Sequence, residues 1–142
     1  MDWKDIITWL LVIVGWFIVH IVTMSRERLK ENRDAALRIV EEIRRVEEIS
    51  VEFQTSTEFS DEKYDLLVWR ISRIAMAIYR PPLKHLQIST DIVIKFRQNL
   101  TMNTDKSKFV TQSHNEEIIK NIHEATDNLI SEIEVQKYIY FT

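Results

Sequence analysis

From Ile6 to Ser25 the chain reads IITWLLVIVGWFIVHIVTMS, twenty residues without a charge. At 1.5 Å per residue a helix of that length rises about 30 Å, the hydrocarbon thickness of a bilayer. The run predicts a transmembrane helix. Trp3 and Trp9 lie toward its N-terminal end, where amphipathic indoles favour the membrane interface. His20 and Thr23 lie near the other end, close to headgroups, and Trp16 falls mid-span facing lipid or a partner helix. A cleaved signal peptide would carry a basic start, a shorter apolar core and a small-residue cleavage site. Here MDWKD holds two acids, the core is long and no A-x-A follows, so the span reads as permanent.

Flanking charge sets the expected orientation. Arg26, Arg28, Lys30, Arg33 and Arg38 follow the span, whereas only Lys4 precedes it. By the positive-inside rule the N-terminus lies outside and residues 26–142 are cytoplasmic. Trp3, Trp9, Arg26, Arg28, Lys30 and Arg33 are the expected membrane-interface residues, with lipid as the partner. The division is thus 1–25, tail and membrane helix, and 26–142, a cytoplasmic helical domain.

No Pro or Gly interrupts the stretch from Thr23 to Gln54, and a seven-residue register runs through both halves. One set is Thr8, Gly15, Val22, Leu29, Ala36, Ile43 and Ser50; the other is Leu11, Ile18, Ser25, Asn32, Ile39, Val46 and Phe53. This predicts one stiff helix from about Asp5 to Phe53 with a single apolar seam. Its cytoplasmic half is expected to pack on the chain's own later helices, because these supply matching stripes. Glu41 and Arg45 are spaced as a favourable i,i+4 pair on its surface.

Ser60 reads as an N-cap for a second helix ending near Arg80, with Tyr64, Leu67, Ile71, Ile74 and Ile78 on one face. Pro81-Pro82 stops it. Residues 83–102 fit a third helix, although Ile88, Ile92, Ile94 and Phe96 also alternate as in a strand. After a loop from Asn103 to Gln112, Ser113-His114-Asn115-Glu116 matches an S-x-x-E capping box. The last helix, striped by Ile118, Ile122, Ala125, Leu129 and Ile133, runs to about Lys137. The tail Tyr138-Ile139-Tyr140-Phe141-Thr142 is expected to pack on the domain, with the membrane or a partner as alternatives. The predicted class is all-α: a membrane helix continuing into an antiparallel four-helix cytoplasmic bundle.

Composition narrows the chemistry. One Gly in 142 residues leaves no P-loop or dinucleotide fingerprint, and the lack of Cys leaves no thiolate metal site or cysteine nucleophile. A formal charge of −3 gives no general attraction to nucleic acid, and no nucleic-acid partner is expected. Among His20, His85, His114 and His123 there is no Glu-x-x-His pair, and His114-x-x-Glu117 offers only two ligands at a helix start. No metal or cofactor is expected. Inside the membrane, Thr8, Leu11, Gly15, Ile18 and Val22 form the expected helix-packing face. A small residue there lets backbones approach, although Val19 occupies the second place of a GxxxG.

Two resemblances bear on function. Arg80-Pro-Pro-Leu-Lys-His85 is similar to the R-x4-H spacing of the HEPN ribonucleases, which are also helical bundles. That resemblance implies an alternative catalytic pair: His85 in acid–base cleavage of RNA and Arg80 on the phosphate. It departs from the family at Pro81-Pro82, which breaks the supporting helix. Gly15-Trp16-Phe17-Ile18-Val19-His20, with Ser25-Arg26-Glu27-Arg28 and Asn32-Arg33-Asp34, resembles a diffuse class of small bacterial single-pass membrane proteins, some encoded beside anti-phage systems. It implies a bacterial inner-membrane setting and a defence role, and it carries no catalytic residue. The leading expectation is therefore a non-enzymatic membrane-anchored protein that self-associates or binds a protein partner. The alternatives are a membrane-tethered ribonuclease and a structural subunit of a membrane complex.

Overall fold

The computed structural model describes residues 2–113 and 116–141. It is all-helical, with four α-helices: α1 (Trp3–Thr55), α2 (Asp61–Ile78), α3 (Thr90–Leu100) and α4 (Glu117–Tyr140). At 53 residues α1 is one uninterrupted helix, about 80 Å long at 1.5 Å per residue. Its N-terminus is closed by the Asp2 N–H donating to the Asp5 carboxylate at 3.3 Å. Its C-terminus is closed by hydroxyls of Thr55 and Ser56 donating back to Val51 and Glu52 carbonyls, at 2.8 and 2.7 Å.

The seven-residue register divides at the predicted membrane boundary. Ala36, Ile39, Ile43, Val46, Ser50 and Phe53 are buried, while every residue from Asp2 to Arg28 is exposed. The buried half meets Leu67, Ile71, Ile74 and Ile78 of α2 and Ile119, Ile122, Leu129 and Ile133 of α4 in one core. Val93, Phe96 and Leu100 of α3 join that core. The seam from Ala36 onward is thus occupied by the chain's own later helices, as matching apolar stripes require.

Side-chain pairs fix the relative directions of neighbours. From α1 to α4, Glu47 meets His123 at 3.2 Å, Arg44 meets Asp127 at 2.8 Å, and Arg33 meets Phe141 at 2.7 Å. Numbers rise on α4 as they fall on α1, so α4 runs back toward the exposed apolar end of α1. The Asp127 hydrogen bond, with Glu47 beside it, holds the Arg44 guanidinium above its ordinary pKa. On α2, Arg70 meets Glu42 at 3.3 Å. Arg45 also turns toward Glu42, at 3.9 Å, rather than toward Glu41 as the i,i+4 spacing suggested.

Three local expectations are corrected. The Ser60 cap forms, accepting from the Lys63 N–H at 3.3 Å, but α2 ends at Ile78, two residues short of Arg80. Residues 83–102 are not one helix. A short 3₁₀ turn, Leu83–Leu86, is followed by Gln87 in the left-handed region (φ 53°), and only then by α3. Leu83, Leu86 and Ile88 anchor that irregular segment in the core, whereas Ile92, Ile94 and Phe96 of the strand-like alternation lie in α3, with Ile94 exposed. Finally α4 starts at Glu117 with Glu116 in the N-cap place, so the box with Ser113 as cap does not form the helix start. His114 and Asn115, and with them the His114-x-x-Glu117 pair, lie outside the described residues.

Candidate membrane-spanning face and juxtamembrane residues

The N-terminal part of α1 is long and apolar enough to cross a membrane, and none of its apolar window is buried. Thr8, Leu11, Gly15, Ile18 and Val22 fall on this uncovered stretch, and a Cβ built on Gly15 meets nothing within 4 Å. The chain therefore leaves the predicted packing face open. Each large apolar side chain held in water forgoes about 1.5–3 kcal/mol relative to burial, so more than a dozen uncovered ones call for an apolar surrounding.

Both threonine hydroxyls in the run are internally satisfied. Thr8 Oγ1 donates to the Lys4 carbonyl at 2.9 Å and Thr23 Oγ1 to the Val19 carbonyl at 2.8 Å. This i→i−4 arrangement lets a hydroxyl sit where no water is present. The Trp16 and His20 rings stack with centroids 5.4 Å apart and planes 6° from parallel. Trp3 and Trp9, 73% and 60% exposed, project freely at the predicted outer interface.

Beyond the span the basic residues divide into two groups. Arg26, Arg28 and Lys30 are exposed and, among the described residues, enter no ion pair. Arg33, expected at the membrane interface, instead donates through Nε to the Phe141 carbonyl at 2.7 Å. Arg38 turns to the Asp34 carbonyl at 3.3 Å. The C-terminal tail is split as well. Phe141 is buried at 2% exposure, but helix α4 continues through Tyr140 and leaves Tyr138, Ile139 and Tyr140 at 74, 59 and 48%. Among the described residues of the tail only Phe141 is buried; the sequence holds no signal that separates it from Tyr138, Ile139 and Tyr140, since all are apolar or aromatic.

Arg80 and His85 are both exposed, at the two ends of the Pro81-Pro82 turn. Their main chains take part in the turn: the Lys84 N–H donates to the Arg80 carbonyl at 2.9 Å and the His85 N–H to the Pro82 carbonyl at 3.2 Å. Neither side chain makes a hydrogen bond or ion pair among the described residues. A groove of about 260 Å³ beside this turn is floored by Ala35, Ile39, Ile74 and Ala77 and rimmed by Arg38 and Arg73; His85 does not line it. No group of three or more potential metal ligands is present among the described residues. No protein-family model, curated protein or solved structure matches the chain.

Proposed function

We propose that the protein is a non-enzymatic, single-pass membrane-anchored helical-bundle protein that self-associates through its span or engages a protein partner. The observation that carries this reading is the change of environment along one unbroken helix: apolar and uncovered through Val22, apolar and covered from Ala36. A soluble domain has no reason to leave that first half bare, whereas a bilayer supplies the missing contacts. The five basic residues after the span favour the N-out, C-in orientation. The opposed directions of α1 with α2, where Lys63 meets Ser56 and Arg70 meets Glu42, and of α1 with α4 support an antiparallel four-helix arrangement for the cytoplasmic domain.

An unbroken helix also couples the two halves mechanically, because rotation or lateral displacement of the domain is passed to the span. Gly15 on the open face Thr8, Leu11, Ile18 and Val22 is where a second span would approach most closely. The resemblance to small bacterial membrane proteins adds an inner-membrane setting and an anti-phage effector role, with the output being membrane damage by associated spans.

The test is the mass of the full-length protein in lipid nanodiscs and after crosslinking in native membranes. A defined oligomer supports assembly through the span. A monomer in both settings removes self-association and leaves the partner-binding anchor. Extraction of the protein from membranes by carbonate or urea, without detergent, overturns the anchor itself.

A further inference from the structure

The exposed last turn of α4 has no role in the reading above, and its position in the molecule is defined. Helix α4 runs toward the span, and the Arg33–Phe141 bond sets the level at which it ends. Arg33 lies eight residues beyond Ser25, a rise of about 12 Å along α1. The headgroup layer itself extends about 5–8 Å beyond the hydrocarbon on each side of a bilayer. The end of α4 therefore stands a few ångströms above the headgroups, with Tyr140, Ile139 and Tyr138 one, two and three residues further back along the helix.

What it presents there is Tyr138, Ile139 and Tyr140, exposed while Phe141 is held in the core. Tyrosine has an apolar ring and a polar tip, the combination enriched at membrane–water interfaces. Between this turn and the bilayer lie Arg26, Arg28 and Lys30, interleaved with Glu27 and Glu31 but in no ion pair among the described residues. Near an anionic leaflet each such cation contributes about 1 kcal/mol of attraction. The amphipathic tyrosines together with the nearby cations of α1 favour an anionic lipid surface as the occupant.

We propose that Tyr138, Ile139 and Tyr140 form a second lipid contact, seating the C-terminal turn of α4 in the headgroup layer of an anionic bilayer beside Arg26, Arg28 and Lys30. The proposal rests on reading α1 as a membrane span. Two attachment points, the span and this turn, fix the tilt of the domain against the membrane, and Arg33 links them. The aromatic turn thus orients the face that a partner meets.

The absence of Cys allows single-cysteine labels on the full-length chain. An environment-sensitive fluorophore is placed at Ile139→Cys, at Val12→Cys inside the span, and at Glu58→Cys in the exposed loop after α1. The protein is reconstituted, at about one copy per vesicle, into phosphatidylcholine with or without phosphatidylglycerol, and quenched by headgroup-level or mid-chain nitroxide lipids. The expected result is headgroup-level quenching at Ile139 about twofold or more above that at Glu58, reduced when the anionic lipid is omitted. Replacing Tyr138 and Tyr140 by Ser is expected to bring the Ile139 label to the Glu58 level. Mid-chain quenching at Val12 with no excess at Ile139 overturns the second contact and leaves the span intact. No quenching at Val12 overturns the span on which it rests.

Discussion

Arg33 and Phe141 are 108 residues apart in the chain and joined by a 2.7 Å hydrogen bond from a guanidinium Nε to a main-chain carbonyl. The bond satisfies one of the carbonyls that any helix C-terminus leaves without an intrahelical partner. It also holds α4 to the segment of α1 nearest the span, while the Phe141 ring fills the core beneath it. Arg33→Ala is expected to cost about 1.5 kcal/mol, the low end for a charged hydrogen bond because the arginine is solvent-accessible. Phe141→Ala is expected to cost about 3 kcal/mol through the cavity it leaves. Hydrogen exchange in the last two turns of α4 reads both changes. Faster exchange confined to those turns supports the pin, and an unchanged rate in Arg33→Ala shows the ring alone holds the tail.

A second prediction concerns Gln54, a fully buried polar residue at the end of α1. Its Nε2 donates to the Met102 carbonyl at 2.6 Å, and its Oε1 accepts from Asn103 Nδ2 at 2.8 Å. Its own main-chain carbonyl accepts from the Gln112 N–H at 2.8 Å. One amide thereby ties the exit of α3 and the loop before α4 to α1. Gln54→Leu removes the side-chain bonds to Met102 and Asn103, so a loss of about 1–3 kcal/mol is expected. Urea unfolding followed by near-UV circular dichroism checks it; an unchanged midpoint means water replaces the amide.

The distal end of the domain carries a third. Phe53, with no exposed surface, packs edge-on to Phe59 at 5.2 Å and to Phe109 at 5.3 Å, with Tyr64 at 6.2 Å. Phe53→Ala empties the centre of four rings and is expected to cost about 3–5 kcal/mol. Phe59→Leu, which keeps apolar volume on a loop residue, is expected to cost less than half as much. Thermal unfolding of the two variants orders them, and equal losses would place the stabilising contacts outside this cluster.

These elements show what the sequence could and could not disclose. The long apolar helix, the continuity of α1, the Ser60 cap and the apolar stripes of α2 and α4 were legible because they are local patterns: a charge-free run, a missing helix breaker, a 3.6-residue period. Ala36, Ile39, Ile43 and Val46 are buried where the register put them. The broken stretch from Leu83 to Ser89 was not legible, since its turn depends on a left-handed Gln87 that no Gly or Asn announces. Phe59 and Phe109 lie in loops, so no periodicity ties them to Phe53. Arg33 carries the same local signature as Arg28, and only the return of α4 separates their roles.

The Arg80 and His85 spacing yields a prediction about what these side chains do not support. Both are exposed and free of hydrogen bonds and ion pairs among the described residues, so His85→Ala is expected to leave stability within about 0.5 kcal/mol of the parent. It is also expected to leave membrane integration and oligomer mass unchanged. An RNA-cleaving activity of the purified full-length protein that disappears in His85→Ala would displace the non-enzymatic reading in favour of the HEPN-like one.

Gly15 separates folding from assembly. Nothing lies within 4 Å of a Cβ built there, so Gly15→Leu meets no obstacle in the single chain. The substitution raises intrinsic helix propensity by roughly 0.5–1 kcal/mol, and the span should remain helical and inserted. Where a second span approaches at that point, however, four added carbons push the backbones apart and remove the close packing that drives association in lipid. A tenfold weaker dimerisation, about 1.4 kcal/mol, is the expected effect, measured by energy transfer between labelled spans in vesicles of varied protein density. Gly15→Ala, which adds one carbon, should fall between. Equal energy transfer in all three proteins would move the contact to another face of the span, and Trp16 and Val19 would be the next positions to change.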